Sequence, residues 1–179
     1  MRFPDSEQLR LPCVFAQFVP GQLHPDGRRY LPLIVLRPTG ASGLDTLGVI
    51  DRHHRVDPAL AGRAGVARLV FLLSSVRLQA GAPRHGFAAE PGLVPGRAST
   101  VPTAYGQVLA VPSWEAERTH LPYEALYTEL LLDIGIGVIG VRTSVTAANL
   151  AEAIGKPQLV PGDWIEVQRS RIDILGFDG

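Results

Sequence analysis

The densest run of polar side chains is Asp51-Arg52-His53-His54-Arg55. Side chains alternate across a strand, so residues two apart share a face. If the strand before this run continues through it, Asp51, His53 and Arg55 face one way, and Arg52 and His54 the other. A carboxylate beside an imidazole can hold a divalent cation or pass a proton. Asp51, His53 and His54 are therefore candidates for a metal-assisted hydrolase, with a long downstream loop as its lid. A metal site needs further donors. The other histidines, His24, His85 and His120, stand at no recognised ligand spacing. The plainer reading is a solvated loop at a strand end, and no metal or other cofactor is expected.

The same run is basic. Arg52 and Arg55 join Arg28-Arg29-Tyr30, and Arg84 and Arg97 lie further on. Arginine beside an aromatic ring suits phosphate contact and base stacking. Arg28, Arg29, Tyr30, Arg52, Arg55, Arg84 and Arg97 are the candidate anion-binding set, with nucleic acid or another polyanion as partner. Against this, arginines at exposed turns are common and need no ligand.

Charge distribution gives the same hint. The net charge is zero, but residues 1–111 hold twelve arginines against seven carboxylates, a net +5. Residues 112–179 are net −5. Such asymmetry can mark a polyanion-binding face. The alternative is that the two halves pack together and neutralise each other.

Other chemistry finds little support. Cys13 is the only cysteine, which excludes an intrachain disulfide and a cysteine-based zinc site. It has no local base and reads as a packed, inert thiol. Ser74-Ser75 and Ser99-Thr100 lack a nucleophile elbow. Gly135-Ile136-Gly137-Val138-Ile139-Gly140 has part of a dinucleotide fingerprint, but it precedes a predicted strand where the fingerprint should open a helix. Trp114 and Trp164 read as packing residues. A binding module is expected rather than an enzyme.

A reducing, cytoplasmic setting is expected from the single thiol. The N-terminal residues lack a signal peptide's apolar core. The most apolar run, Leu130 to Val141, is broken by Asp133 and glycines and is too short to span a bilayer. No membrane contact is expected.

These side chains must be held by a scaffold, and the pattern is mostly strand. Residues 13–19 and 29–37 form a hairpin around His24-Pro25-Asp26-Gly27, and Pro32 suggests an edge or bulge. Thr46 to Asp51 is a third strand. Asp57 and Pro58 suit the N-cap and first position of a helical turn. Residues 67–78 read as a buried strand, although neither period fits cleanly, and a helix from Pro58 to Leu78 is the alternative. Residues 80–103, rich in proline and glycine, form a long loop. Tyr105 to Val111 is a strand. Ser113-Trp114-Glu115 reads as a short helix start. Tyr123, Leu126, Tyr127, Leu130, Leu131 and Ile134 follow helical spacing from Pro122, with Gly135 closing the helix; a strand over Leu126 to Leu132 competes. Residues 137–143 form a strand and 146–154 a short helix. Trp164 to Gln168 and Arg171 to Phe177 form a final hairpin around Arg169-Ser170. Its Ile165, Val167, Ile172 and Ile174 point inward, and Glu166, Arg171 and Asp173 outward.

Asp26-Gly27-Arg28-Arg29-Tyr30-Leu31-Pro32, Leu36-Arg37-Pro38 and Pro161-Gly162-Asp163 resemble turns of the small β-barrel domains of translation factors. The resemblance covers short, separated stretches without a GTP-binding motif. It implies a barrel-like sheet and no activity. The expected architecture is one α+β domain over 1–179: a mainly antiparallel twisted sheet or partly open β-barrel with a few short helices. An uncovered strand at Leu31 to Leu36 would allow self-association.

Overall fold

The computed structural model describes residues 3–112 and 127–179. The expected helix start at Ser113-Trp114-Glu115, and the part of the next expected helix up to Leu126, lie outside the described residues. The described strands are β1 (Leu11–Val19), β2 (Leu33–Pro38), β3 (Leu47–Ile50), β4 (Ala64–Leu78), β5 (Gly86–Ala88), β6 (Thr103–Ala110), β7 (Glu129–Asp133), β8 (Val138–Thr143), β9 (Trp164–Gln168) and β10 (Arg171–Asp178). All belong to one sheet, with most pairings antiparallel. One α-helix, α1 (Ala147–Ile154), and two single 3-10 turns, at Ser6–Gln8 and Pro58–Leu60, complete the described elements. The result is a β-rich α+β fold. Among the described residues no helix is long and apolar enough to cross a membrane.

β4 organises the sheet. It is 15 residues long and carries different neighbours at its two ends. Its first half lies between β1 and β10, and its second half between β8 and β9. Two closed circuits of paired strands result. One runs β4-β1-β2-β3-β10, and the other β4-β8-β7-β6-β9. Leu69 and Phe71 of β4 enter the main core with Phe15, Leu36, Val49, Leu130, Val141 and Ile174. Val70 and Leu72, on the opposite face, join Phe3, Leu9, Leu131 and Leu175 in a second cluster. A strand buried on both faces reads as a continuous apolar run, which is why neither period fitted 67–78. The structure has strand there, and the helical alternative is excluded.

Several expectations are overturned. The helix over 122–134 gives way, in its described part, to β7. Leu130 and Leu132 enter one core while Leu131 enters the other. Three consecutive buried leucines also satisfy helical spacing, so periodicity could not separate the two. Gly135, read as a helix terminator, turns the β7–β8 hairpin at φ 82°.

The final hairpin is also absent. β9 and β10 pair with β4, not with each other. Gln168 stands opposite Ser75 and Arg171 opposite Leu72, so β9 and β10 run on as one interrupted strand. Arg169-Ser170 is a kink facing Leu73-Ser74. Leu73 (φ 58°) and Arg169 (φ 57°) are both left-handed. Ser74 Oγ donates to the Phe71 carbonyl (3.1 Å) and lies 2.7 Å from Ser170 Oγ. The inward set Ile165, Val167, Ile172 and Ile174 is buried as expected, but Asp173, expected outside, is buried too.

The strand at Leu31 to Leu36 has no free edge, because β2 is paired to β1 on one side and β3 on the other. Pro32 precedes β2, where its missing N–H costs nothing, and its carbonyl accepts from the Asp51 N–H (3.2 Å). The expected loop at 80–103 contains β5 and then folds onto β3. Gly48 N–H donates to the Ser99 carbonyl (2.7 Å) and Ser99 N–H to the Thr46 carbonyl (3.1 Å). α1 begins at Thr146, whose hydroxyl accepts from the Asn149 N–H, and ends at left-handed Gly155.

Candidate functional site

β3 ends at Ile50, so strand alternation does not extend through Asp51-Arg52-His53-His54-Arg55. This corrects the premise that Asp51, His53 and Arg55 share a strand face. Asp51 turns inward and is 1% exposed. One carboxylate oxygen accepts from the Arg55 N–H (2.9 Å) and the other from the Val56 N–H (3.0 Å). The carboxylate folds the loop over itself, which suits a short acceptor side chain at a turn. His54 takes φ 50° within that turn, and His53 and His54 are exposed. Among the described residues no three His, Cys, Asp or Glu side chains converge as metal ligands would.

The loop at 51–56 is nonetheless tied to other basic positions. Arg52 Nε lies 3.4 Å from Asp173 Oδ2, and Arg171 Nε lies 2.9 Å from Asp173 Oδ1. Two guanidiniums thus share one buried carboxylate. The Asp51–Pro32 hydrogen bond joins this loop to the segment carrying Arg28, Arg29 and Tyr30. That segment is a small hairpin: Leu23 bridges Arg29, and Asp26 accepts from the Arg28 N–H (2.9 Å). Tyr30 is 59% exposed, its ring edge-on to His24 at 5.6 Å. Arg28, Arg29, Tyr30, Arg52 and Arg55 therefore belong to loops at one end of the β1-β2-β3 ribbon.

Arg84 does not join them. It lies beyond the far end of β4, where its guanidinium stacks on Tyr105 at 3.6 Å and its backbone is held by the Gln79 side chain. Arg97 is exposed on the 90–100 segment, along the outer face of β2. The charge split between chain halves is partly consumed internally: Arg52 pairs with Asp173, and Arg68 with Asp178 (2.8 Å).

A groove opens beside Arg171, in the wall that the kink creates. Leu33, Gly48, Ile50, Leu73, Thr100, Val101 and Arg169 to Ile172 line it, and its volume is about 380 Å³. Leu33 and Thr100 continue into a second depression of about 500 Å³ that reaches Val35, Leu93, Val94 and Arg97. The 90–100 wall is braced by Glu90, whose carboxylate binds the Ser99 hydroxyl and the Thr100 N–H. Burial alone would raise the Glu90 pKa, but hydrogen bonds from Ser99 and from the backbone N–H groups of Glu90, Thr100 and Val101 outweigh it and hold the carboxylate below its ordinary range. Leu73, Arg169, Arg171 and Asp173 did not appear among the sequence candidates. No local sequence signal marks them: Leu73 continues the same apolar run as Leu72.

No protein-family model, no curated protein and no solved structure matches the chain.

Proposed function

We propose that the protein is a non-enzymatic binding module for an anionic partner, and that the partner is single-stranded nucleic acid. The observation that carries this reading is the tie between two basic loops: the Asp51–Pro32 hydrogen bond joins the loop that carries Arg52 and Arg55 to the segment that carries Arg28, Arg29 and Tyr30. Carboxylates beside the 51–56 loop are already engaged: Asp51 by backbone N–H groups, Asp173 by two guanidiniums and Asp57 by the Ala59 N–H. Exposed Arg28, Arg29 and Arg55 would meet phosphates, and Tyr30 offers a face for a base. We read the two strand circuits as a pair of small, partly open barrels, a scaffold that fixes loop tips at its end. The rival, a metal-assisted hydrolase on Asp51, His53 and His54, has less support because both Asp51 oxygens already accept hydrogen bonds.

Fluorescence polarisation with a labelled single-stranded oligonucleotide tests the reading. Affinity should fall with salt, with a log–log slope of about −0.7 per phosphate contacted. The triple variant Arg28→Ala, Arg29→Ala, Arg55→Ala should lower the slope and weaken binding, while Arg84→Ala should not. Absence of binding at low salt, or equal losses from the triple variant and from Arg84→Ala, would overturn it.

A further inference from the structure

The groove at the kink combines exposed apolar surface with strained backbone. Leu73 is a large apolar residue, 60% exposed, in a left-handed conformation. That conformation is strained for an L-residue, and glycine would adopt it freely. Leu73 recovers little of this cost by burial. Across from it, Arg169 carries the same strain. Strained backbone of this kind collects at ligand sites, where the surrounding structure over-determines it. Here the over-determination is visible in the Ser74–Ser170 contact and in the paired β4, β9 and β10 on either side.

The lining defines what would fit. Leu33, Ile50, Leu73, Val101 and Ile172 present an apolar surface. One wall is cationic. Arg171 and Arg52 share the single Asp173 carboxylate, and exposed Arg169 makes no ion pair among the described residues. No acidic side chain lines this part of the groove. It therefore complements a molecule with an apolar body and a negative head. No aromatic ring lines it, so it offers no platform for a base. Nor does it offer β3 as an open edge for strand addition by a peptide, because Gly48 and Leu47 are already bridged by Ser99. Its volume lies in the range of small-molecule sites, about 300–1,000 Å³.

We propose that this groove binds a small amphipathic carboxylate, its apolar body against Leu33, Ile50, Leu73 and Val101 and its carboxylate on Arg169 and Arg171. The groove adjoins the 51–56 loop and is linked to it through the Arg52–Asp173–Arg171 contacts, but its proposed occupant does not depend on the nucleic-acid assignment.

Amide-resolved NMR titration of the protein with octanoate, with octylammonium as the charge-reversed control, is the test. Octanoate should bind saturably, with shifts concentrated at residues 48–50, 72–74, 100–101 and 169–172, and octylammonium should bind at least tenfold more weakly. Leu73→Asn keeps a residue that tolerates the left-handed conformation while removing the apolar surface. It and Arg169→Glu should each weaken octanoate roughly tenfold, a loss of about 1.4 kcal/mol, with the amide spectrum outside the groove unchanged. Scattered or non-saturating shifts, equal binding of the two probes, or unaltered affinity in both variants would overturn the proposal. If oligonucleotide binding is absent but these results hold, only the nucleic-acid reading fails.

Discussion

Single side chains carry structural work that their chemistry alone did not announce. Asp51 is one of the candidate ligands and proves to be a loop anchor. Asp51→Ala removes the partners of two N–H groups, one of them on buried Val56, and should cost about 2–3 kcal/mol in urea denaturation. Cys13 shows the reverse: an inert thiol was expected from sequence, and burial pushes its pKa up to about 11 despite a lowering bond from the Ala67 backbone. A raised acid pKa means the folded state keeps its proton where the unfolded chain would lose it. The associated stability is intact below about pH 9 and is lost as pH rises toward 11. Cys13→Val should therefore lose less stability than the parent between those values, read as the difference between their unfolding free energies. Leu73 supplies a third case. Glycine normally weakens a strand relative to alanine, but at φ 58° the order should invert, with Leu73→Gly more stable than Leu73→Ala by about 1 kcal/mol. Nothing in the local sequence distinguishes Leu73 from Leu72. Only the register against β8 and β10 separates a buried leucine from an exposed, left-handed one.

At the scale of elements, the legible parts of the sequence were those with one buried face. In β1, Leu11, Cys13 and Phe15 alternate with more exposed neighbours, and in β2 Ile34 and Leu36 do the same. Both strands, their antiparallel pairing and β3 follow from that period. The short helix at 146–154 was equally readable, because it is bounded by adjacent capping residues. The failures share a cause. β7 is apolar on both faces, and β9-β10 passes through a polar dipeptide that looks like a turn. In each case a distant partner decides: β6 for β7, and β4 for the interrupted strand. The site followed the same division. Basic loop tips could be found by residue type, whereas the groove is made by strands distant in sequence. The 90–100 wall offers a test at this scale. A carboxylate held below its ordinary pKa stabilises at neutral pH and loses that effect as acid protonates it. Glu90→Gln should speed amide exchange at Ser99 and Thr100 at neutral pH, and the difference from the parent should disappear below the range where Glu90 titrates.

Across the whole molecule, β4 belongs to both circuits and to both hydrophobic clusters. Its partners β1, β8, β9 and β10 all come from distant parts of the chain, so its pairings close long loops, and folding should fall on the slow, millisecond-to-second side of the range for two-state domains. A core truncation in β4 cannot weaken one circuit alone. Leu69→Ala should cost about 2–5 kcal/mol, read as the loss of unfolding free energy in urea denaturation. The seams themselves are unequal. β4 meets β10 over seven residue pairs, whereas β3 meets β10 at one, Asp173 opposite Ile50. The Arg52–Asp173 ion pair also spans this join. The first circuit is therefore zipped along most of its circumference and only briefly latched at this seam. A force or a thermal fluctuation that parts the sheet without melting it should begin at that latch, swinging β2 and β3 outward as a hinged flap and widening the groove beneath Leu33 and Ile50 while the second circuit stays shut.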